Sequence, residues 1–274
     1  MSAVFLGIDL GTSGMRALAC DENGARVASS ALSWAGSETN PKIWRQTLRN
    51  LLDQLIQQLP SSHHPVALSV CSTSGTILAL DPSGEPLEHA WLYNDPRGHV
   101  QAQQLGIPSS WGLCRWVWWQ QSQPERSRSS ILAHPTDVLL QSLGAELFVT
   151  DHTSALKSGF DLEHYQWPAA WLLEHELDLQ QFPRVVSPGT PLGTVASGWG
   201  LPGSLLLVAG CTDGCAAQLA TGAIAAGQIS TSLGTTLIFK GTSTGRIQTP
   251  NGSVYSHLHP DRQFWFPGAA SSCG

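Results

Sequence analysis

The stretch Val4-Phe5-Leu6-Gly7-Ile8-Asp9-Leu10-Gly11-Thr12-Ser13 decides how this chain is read. Its first half is an apolar run of strand character, and its second half is a small-residue turn that offers amides and hydroxyls to an anion. Gly11 lets backbone approach a phosphate closely, Thr12 and Ser13 supply hydroxyls, and Asp9 carries the hard oxygens that suit magnesium. A second turn of the same kind, Ser230-Thr231-Ser232-Leu233-Gly234-Thr235-Thr236, lies far along the chain, with Gly210-Cys211-Thr212-Asp213-Gly214 between the two. A lone Gly-Thr-Ser turn ends many hairpins; two copies with an intervening aspartate point to a phosphotransferase.

Outward from the first turn, 15–20 reads as a second strand, Asp21-Glu22-Asn23-Gly24 as a turn and 25–33 as a third strand, a β-meander. Apolar residues Ile43, Trp44, Leu48, Leu51, Leu52, Leu55, Ile56 and Leu59 recur at helical spacing, which predicts a helix over 41–59 that Pro60 stops. A strand over 66–71 leads into Ser72-Thr73-Ser74-Gly75 and another strand over 76–80, while His63-His64 beside Pro65 reads as surface loop. Helices are expected over 131–143 and 169–177, which with the tryptophan-rich 111–121 would form a layer over a cleft. A strand over 205–209 precedes Asp213, and a small-residue helix over 216–222 leads toward the second turn.

The chain has 274 residues, a formal net charge of -6, 42% hydrophobic and 12% charged residues, which fits a globular protein with a substantial core. Mild acidity without a Lys/Arg cluster argues against nucleic acid or an anionic membrane as partner. No stretch approaches the ~20 apolar residues of a membrane helix, and the start lacks a secretory signal, so the cytosol or an organelle interior is expected. Cys20, Cys71, Cys114, Cys211, Cys215 and Cys273 form no CxxC pair and read as free thiols; Cys211 and Cys215 flank Asp213, yet no second Cys/His pair lies nearby to complete a zinc site.

The segments GIDLGTSGMRALACD, STSGTILALDPSGEPL, WLYNDPR, TDHTSALKSGFD, AGCTDGCAA and STSLGTTLIFKG, in that order, resemble the FGGY carbohydrate kinases of the actin-like ATPase superfamily, and among them the cyanobacterial and plant-type kinases of D-ribulose or D-xylulose. The resemblance implies an α/β fold: an actin-like (ribonuclease H-like) domain with a mixed sheet flanked by helices, plus the start of a second such domain. It divides the chain into a sugar-binding part, 1–222, and the beginning of a nucleotide-binding part, 223–274. It also implies ATP and Mg²⁺, a small-molecule sugar as the other substrate, and nothing about oligomeric state.

Residue by residue, the resemblance makes Asp9 the magnesium ligand, Gly11, Thr12 and Ser13 the first phosphate loop, and Gly234, Thr235 and Thr236 the second. Asp213 becomes the general base, since a sugar hydroxyl turns into a useful nucleophile only as its proton passes to a positioned carboxylate. Ser74 and Gly75, with Asn94, Asp95 and Arg97, match the sugar-binding segments, Tyr93 replacing the family's tryptophan. Bland readings stand beside these: Asp213 as a helix cap, 94–98 as an ordinary β-turn, Trp44 as core, His152 and Lys157 as solvated loop residues. Glu38-Thr39-Asn40-Pro41 stands where the larger xylulose kinases carry Glu-Gln-Asp-Pro, which weakens D-xylulose as the substrate. Nothing matches the family's later adenosine loop, so the sequence reads as a fragment or a shortened relative, and a non-catalytic sugar-binding module or an actin-like ATPase competes with the kinase.

Overall fold

A computed structural model describes residues 2–36, 38–233, 237–249 and 253–271. The opening stretch is β1 (Ser2–Gly11), antiparallel to β2 (Gly14–Asp21), which in turn pairs antiparallel with β3 (Arg26–Ser33). Alternation along β1 sends Val4, Leu6, Ile8 and Leu10 to one face, where each is at most 4% exposed. α1 (Pro41–Gln58) joins that core through Trp44, Leu48, Leu51, Leu52 and Leu55, each leucine contributing roughly 1.5–3 kcal/mol by its burial. Asn40 Oδ1 accepts the Lys42 N–H at 3.0 Å and Pro41 takes the first helical position, so the helix starts where its sequence signals put it.

β4 (His63–Ser72) runs parallel to β1. His63 and His64, expected in a loop, pair instead with Ser2 and Ala3; the length of β4 is set by its partner rather than by local polarity. After β4 come β5 (Leu78–Leu80), α2 (His99–Leu105), α3 (Gly112–Ser122), α4 (Pro124–Ser127) and β6 (Ile131–Ala133), with β5 and β6 antiparallel. A second core forms here around the buried Trp91, Trp116 and Trp119. The single helix expected over 131–143 divides, because 131–133 pairs with β5 and Pro135 opens α5 (Pro135–Leu143) at its first position.

β7 (Val149–Asp151) leads into α6 (His152–Ala155) and, after α7 (Ala169–Glu174), pairs in parallel with β8 (Arg184–Val186). His152 and Lys157, expected on a solvated loop, are 0% and 9% exposed: α6 is packed under β14 and the cleft, which local sequence does not reveal. β9 (Pro191–Thr194), β10 (Leu206–Val208) and β11 (Cys211–Thr212) complete the large mixed sheet in the order β3-β2-β1-β4-β10-β9, with β11 also beside β4. Gly210 makes the junction possible, since a Cβ there would stand 1.7 Å from the Val70 carbonyl oxygen.

α8 (Asp213–Ala220) follows β11 directly. The chain then builds a separate antiparallel sheet from β12 (Ile229–Leu233), β13 (Leu237–Gly241), β14 (Tyr255–Leu258) and β15 (Trp265–Ser271), in the order β12-β13-β15-β14. His152 ties the two parts together, its Nε2 lying 3.0 Å from the Leu258 carbonyl oxygen. Gly234, Thr235 and Thr236 lie outside the described residues. Among the described residues no helix is long and apolar enough to cross a membrane.

Candidate active site

The sheet carries the two aspartates to neighbouring positions. Asp9 on β1 is in register with Cys71 on β4, and Cys71 with Cys211 on β11, so two strand spacings of about 4.8 Å separate Asp9 from a residue two before Asp213. Asp9 Oδ2 accepts from the exposed Arg16 guanidinium at 3.2 Å, and Oδ1 from the Cys71 thiol at 3.7 Å. Burial first, then the charges of Asp9 and Asp213, push the Cys71 thiol up to about 12, so it stays protonated. Beyond β1, the turn is pinned by Trp34, whose Nε1 donates to the Thr12 carbonyl at 2.8 Å and whose backbone N–H donates to that of Ser13 at 3.2 Å.

Asp213 opens α8, and the cap position before it belongs to Thr212, whose side chain makes no capping bond. Asp213 Oδ1 instead accepts the Gly214 N–H at 2.6 Å. The backbone leading to it is fixed from beneath. The Thr212 N–H donates to Thr153 Oγ1 at 2.9 Å, and that hydroxyl donates to Asp151 Oδ1 at 2.5 Å. Asp151 is 2% exposed and also accepts from the Ser154 hydroxyl at 2.6 Å; its burial raises its carboxyl above the ordinary range.

Asp213 faces a cavity of about 400 Å³ whose walls include Thr12, Ser74, Tyr93, Lys157 and His257. Burial by the surrounding protein raises its carboxyl, as does the charge of Asp9, against the Gly214 N–H and the ammoniums of Lys240 and Lys157. Lys240 itself donates to the Gly214 carbonyl. Asp9 lines an adjoining open hollow of about 630 Å³ on the sheet face, together with Arg16, Cys71 and Cys211. The two carboxylates therefore edge neighbouring spaces and sense each other's charge without sharing one wall.

The expected sugar-side residues separate into two groups. Ser74 lines the cavity, and Gly75 holds the turn behind it at φ +85°, where a Cβ would meet the Ser110 carbonyl oxygen at 2.3 Å. Asn94 is exposed, and Asp95 and Arg97 pair with each other at 2.6 Å outside the cavity, while their neighbour Tyr93 reaches into it. Of the first turn, Thr12 lines the cavity; Gly11 edges a small pocket beside Trp44, which is 2% exposed and part of the core. Ser13 is exposed.

Residues 4–220 match the FGGY family of carbohydrate kinases, N-terminal domain. The chain belongs to this family. A xylulose kinase of Streptomyces coelicolor is 30% identical to this FGGY chain, over 97% of it and 60% of that protein. The solved gluconate kinase from Lactobacillus acidophilus superimposes with a TM-score of 0.88 at 18% identity, covering 98% of this chain and 59% of that one. The ligand-bound xylulose kinase from Lactobacillus acidophilus gives 0.87 at 18% identity, over 97% and 59%. The fold is thus the actin-like fold of the FGGY kinases, and the chain spans about 60% of the length of the curated relatives it matches.

Several residues of this FGGY site escape a reading along the sequence. Arg115, 0% exposed on α3, donates to the carbonyls of Gly75 and Ser109 at 2.7 Å each and to those of Tyr93 and Ser110 at 3.3 Å, so one guanidinium gathers the loops that carry these residues. Tyr255 and His257 come from β14, whose only signal is the Tyr-x-His alternation. Magnesium fits the donors present: it binds through one or two carboxylates plus water and phosphate oxygens, and Asp9 offers a half-buried carboxylate with Asp213 near by. Among the described residues no cluster of three or more His, Cys, Asp or Glu makes a ready-made cage.

Proposed function

We propose that this chain is the sugar-binding part, with the beginning of the nucleotide-binding part, of an ATP-dependent kinase that phosphorylates a free ketopentose at a primary hydroxyl. Residues 1–222 serve the sugar and residues 223–274 begin the nucleotide side. The observation that carries the reading is Asp213: a carboxylate at the start of a helix, exposed to a cavity lined by hydroxyls, and raised above its ordinary range by the protein packed around it. A carboxylate so raised is a stronger base than an ordinary aspartate.

In this reading the sugar lies against Ser74 and Tyr93, and its primary hydroxyl hydrogen-bonds to Asp213. As that oxygen attacks the terminal phosphorus of ATP, its proton passes to Asp213, and the bond from phosphorus to the ADP oxygen breaks. Thr12 and Ser13 of the first turn, and Gly234, Thr235 and Thr236 of the second, would offer amides and hydroxyls to the phosphates. Asp9 would hold magnesium, which when bound offsets charge on the phosphate oxygens. D-Xylulose enters through the named relatives and D-ribulose through the sequence resemblance.

Asp213→Asn tests the reading. It should abolish sugar phosphorylation while leaving sugar binding, read by calorimetry, within a few-fold of wild type; retained phosphorylation would refute the base role. Titration of the same chain with a non-hydrolysable ATP analogue and magnesium separates a kinase from a sugar-binding module, which would bind sugar alone.

A further inference from the structure

Lys157 is a charged side chain of the cavity to which the proposed transfer assigns no task. It sits in the single 3₁₀ turn Leu156–Ser158 that continues α6 and is 9% exposed. Its stem runs beside the sugar-side turn, where a Cβ on Gly75 would stand 3.2 Å from Lys157 Cδ. Its ammonium lies 5.4 Å from the centre of the Tyr255 ring. Among the described residues no carboxylate comes within the 4.0 Å of an ion pair with it. Burial pushes the pKa of this ammonium down, and Asp213, farther off in the cavity both residues line, pulls partly the other way.

Lys157 opens onto the cavity with no protein acceptor for its ammonium among the described residues, so an acceptor oxygen on a ligand in that cavity would complete its hydrogen bonding. The surroundings agree. Ser74 Oγ and His257 Nδ1 are buried without hydrogen-bond partners. Tyr255 and His257, two residues apart on β14, point to the same side of the strand. Burial first, then the charges of Lys157 and Lys240, keep His257 neutral. Lys240 is differently employed: it donates to the Gly214 carbonyl from a strand next to the second small-residue turn.

The oxygen that suits Lys157 must accept, because the ammonium has three hydrogens and no lone pair. A ketone oxygen is of that kind and has two lone pairs, one for Lys157 and one for the Ser74 hydroxyl, whereas a hydroxyl spends part of its bonding placing its own hydrogen on Ser74 Oγ or His257. Resting on the sugar-kinase reading, we propose that Lys157 is a specificity-determining residue. Its ammonium donates to the carbonyl oxygen of a ketose held between it and Asp213, so that the cavity prefers the ketose to the polyol of the same carbon chain.

Calorimetric titration with D-xylulose, D-ribulose and D-arabinitol, the pentitol obtainable by reducing either ketose, tests this. Wild type should bind its preferred ketose roughly tenfold or more tightly than D-arabinitol, the worth of a hydrogen bond to a charged group. Lys157→Met should lose about 10- to 100-fold for the ketose and stay within about threefold for D-arabinitol, with Lys157→Arg recovering part of the preference. The melting temperature of Lys157→Met should equal or exceed that of wild type, because an apolar side chain replaces a buried ammonium. Equal wild-type affinity for ketose and pentitol, equal loss of both on substitution, or a lowered melting temperature would each overturn the assignment. If the methionine variant does not fold, Lys157→Gln is judged by the same affinity ratio. A wild-type chain that binds no sugar of either class overturns the kinase reading, and this assignment with it.

Discussion

Acid should loosen this protein through His152. The ring is 0% exposed, with Nε2 3.0 Å from the Leu258 carbonyl oxygen and Nδ1 3.3 Å from the Tyr165 hydroxyl. Burial above all, with the positive charges of Arg262 and His259, pushes its pKa from 6.5 down to about 4, against the pull of the Leu258 carbonyl. Between those values the unfolded chain binds a proton that the folded chain refuses. Stability from this residue is therefore full above pH 6.5, falls as the pH drops toward about 4, and is level below that. The window is 6.5 − 4 = 2.5 pH units, and at about 1.36 kcal/mol per unit the loss is about 3 kcal/mol. The bond at risk is the clasp between α6 and β14, so the separate sheet should part from the rest first. Urea unfolding at neutral pH and near pH 4, on wild type and on His152→Gln, reads the effect. Wild type should lose about 3 kcal/mol more than the variant over that span. Equal losses in the two proteins would refute the argument; His257, pushed down mainly by burial, adds a loss of its own to both curves.

Arg115→Met should destabilise the chain by about 3–6 kcal/mol, counting only the two 2.7 Å bonds at roughly 1.5–3 kcal/mol each. Unfolding in urea measures it, and a loss below about 1 kcal/mol would mean that water or a shifted loop replaces the guanidinium. Gly210→Ala places a Cβ 1.7 Å from the Val70 carbonyl oxygen and must force β11 away from β4, at a cost on the order of 3 kcal/mol or more. An unchanged thermal melt in that variant would contradict the described junction.

Much of the first sheet was legible because its elements follow strictly local rules. β1 alternates buried and open residues, and α1 begins at a capped proline and carries its leucines at helical spacing. The failures fall where a distant partner decides. His63 and His64 join a strand because Ser2 and Ala3 lie alongside, and 131–133 leaves the predicted helix because β5 offers it hydrogen bonds. The site divides in the same manner. Asp213 and Ser74 carry motif signals, but Lys157, His257 and Arg115 draw their meaning from burial and from what stands opposite them.

The sequence alone determined the small-residue turns, the order of strands and helices around them and the family resemblance, because chain stereochemistry and hydrophobic period act between near neighbours. Only the tertiary structure decided that Asp9 and Asp213 border adjoining hollows, that one arginine ties together the loops of Gly75, Tyr93 and Ser109, and that a buried lysine lines the same cavity as Asp213. Those facts depend on dielectric surroundings and on contacts between residues far apart in the chain, neither of which is a property of any residue by itself.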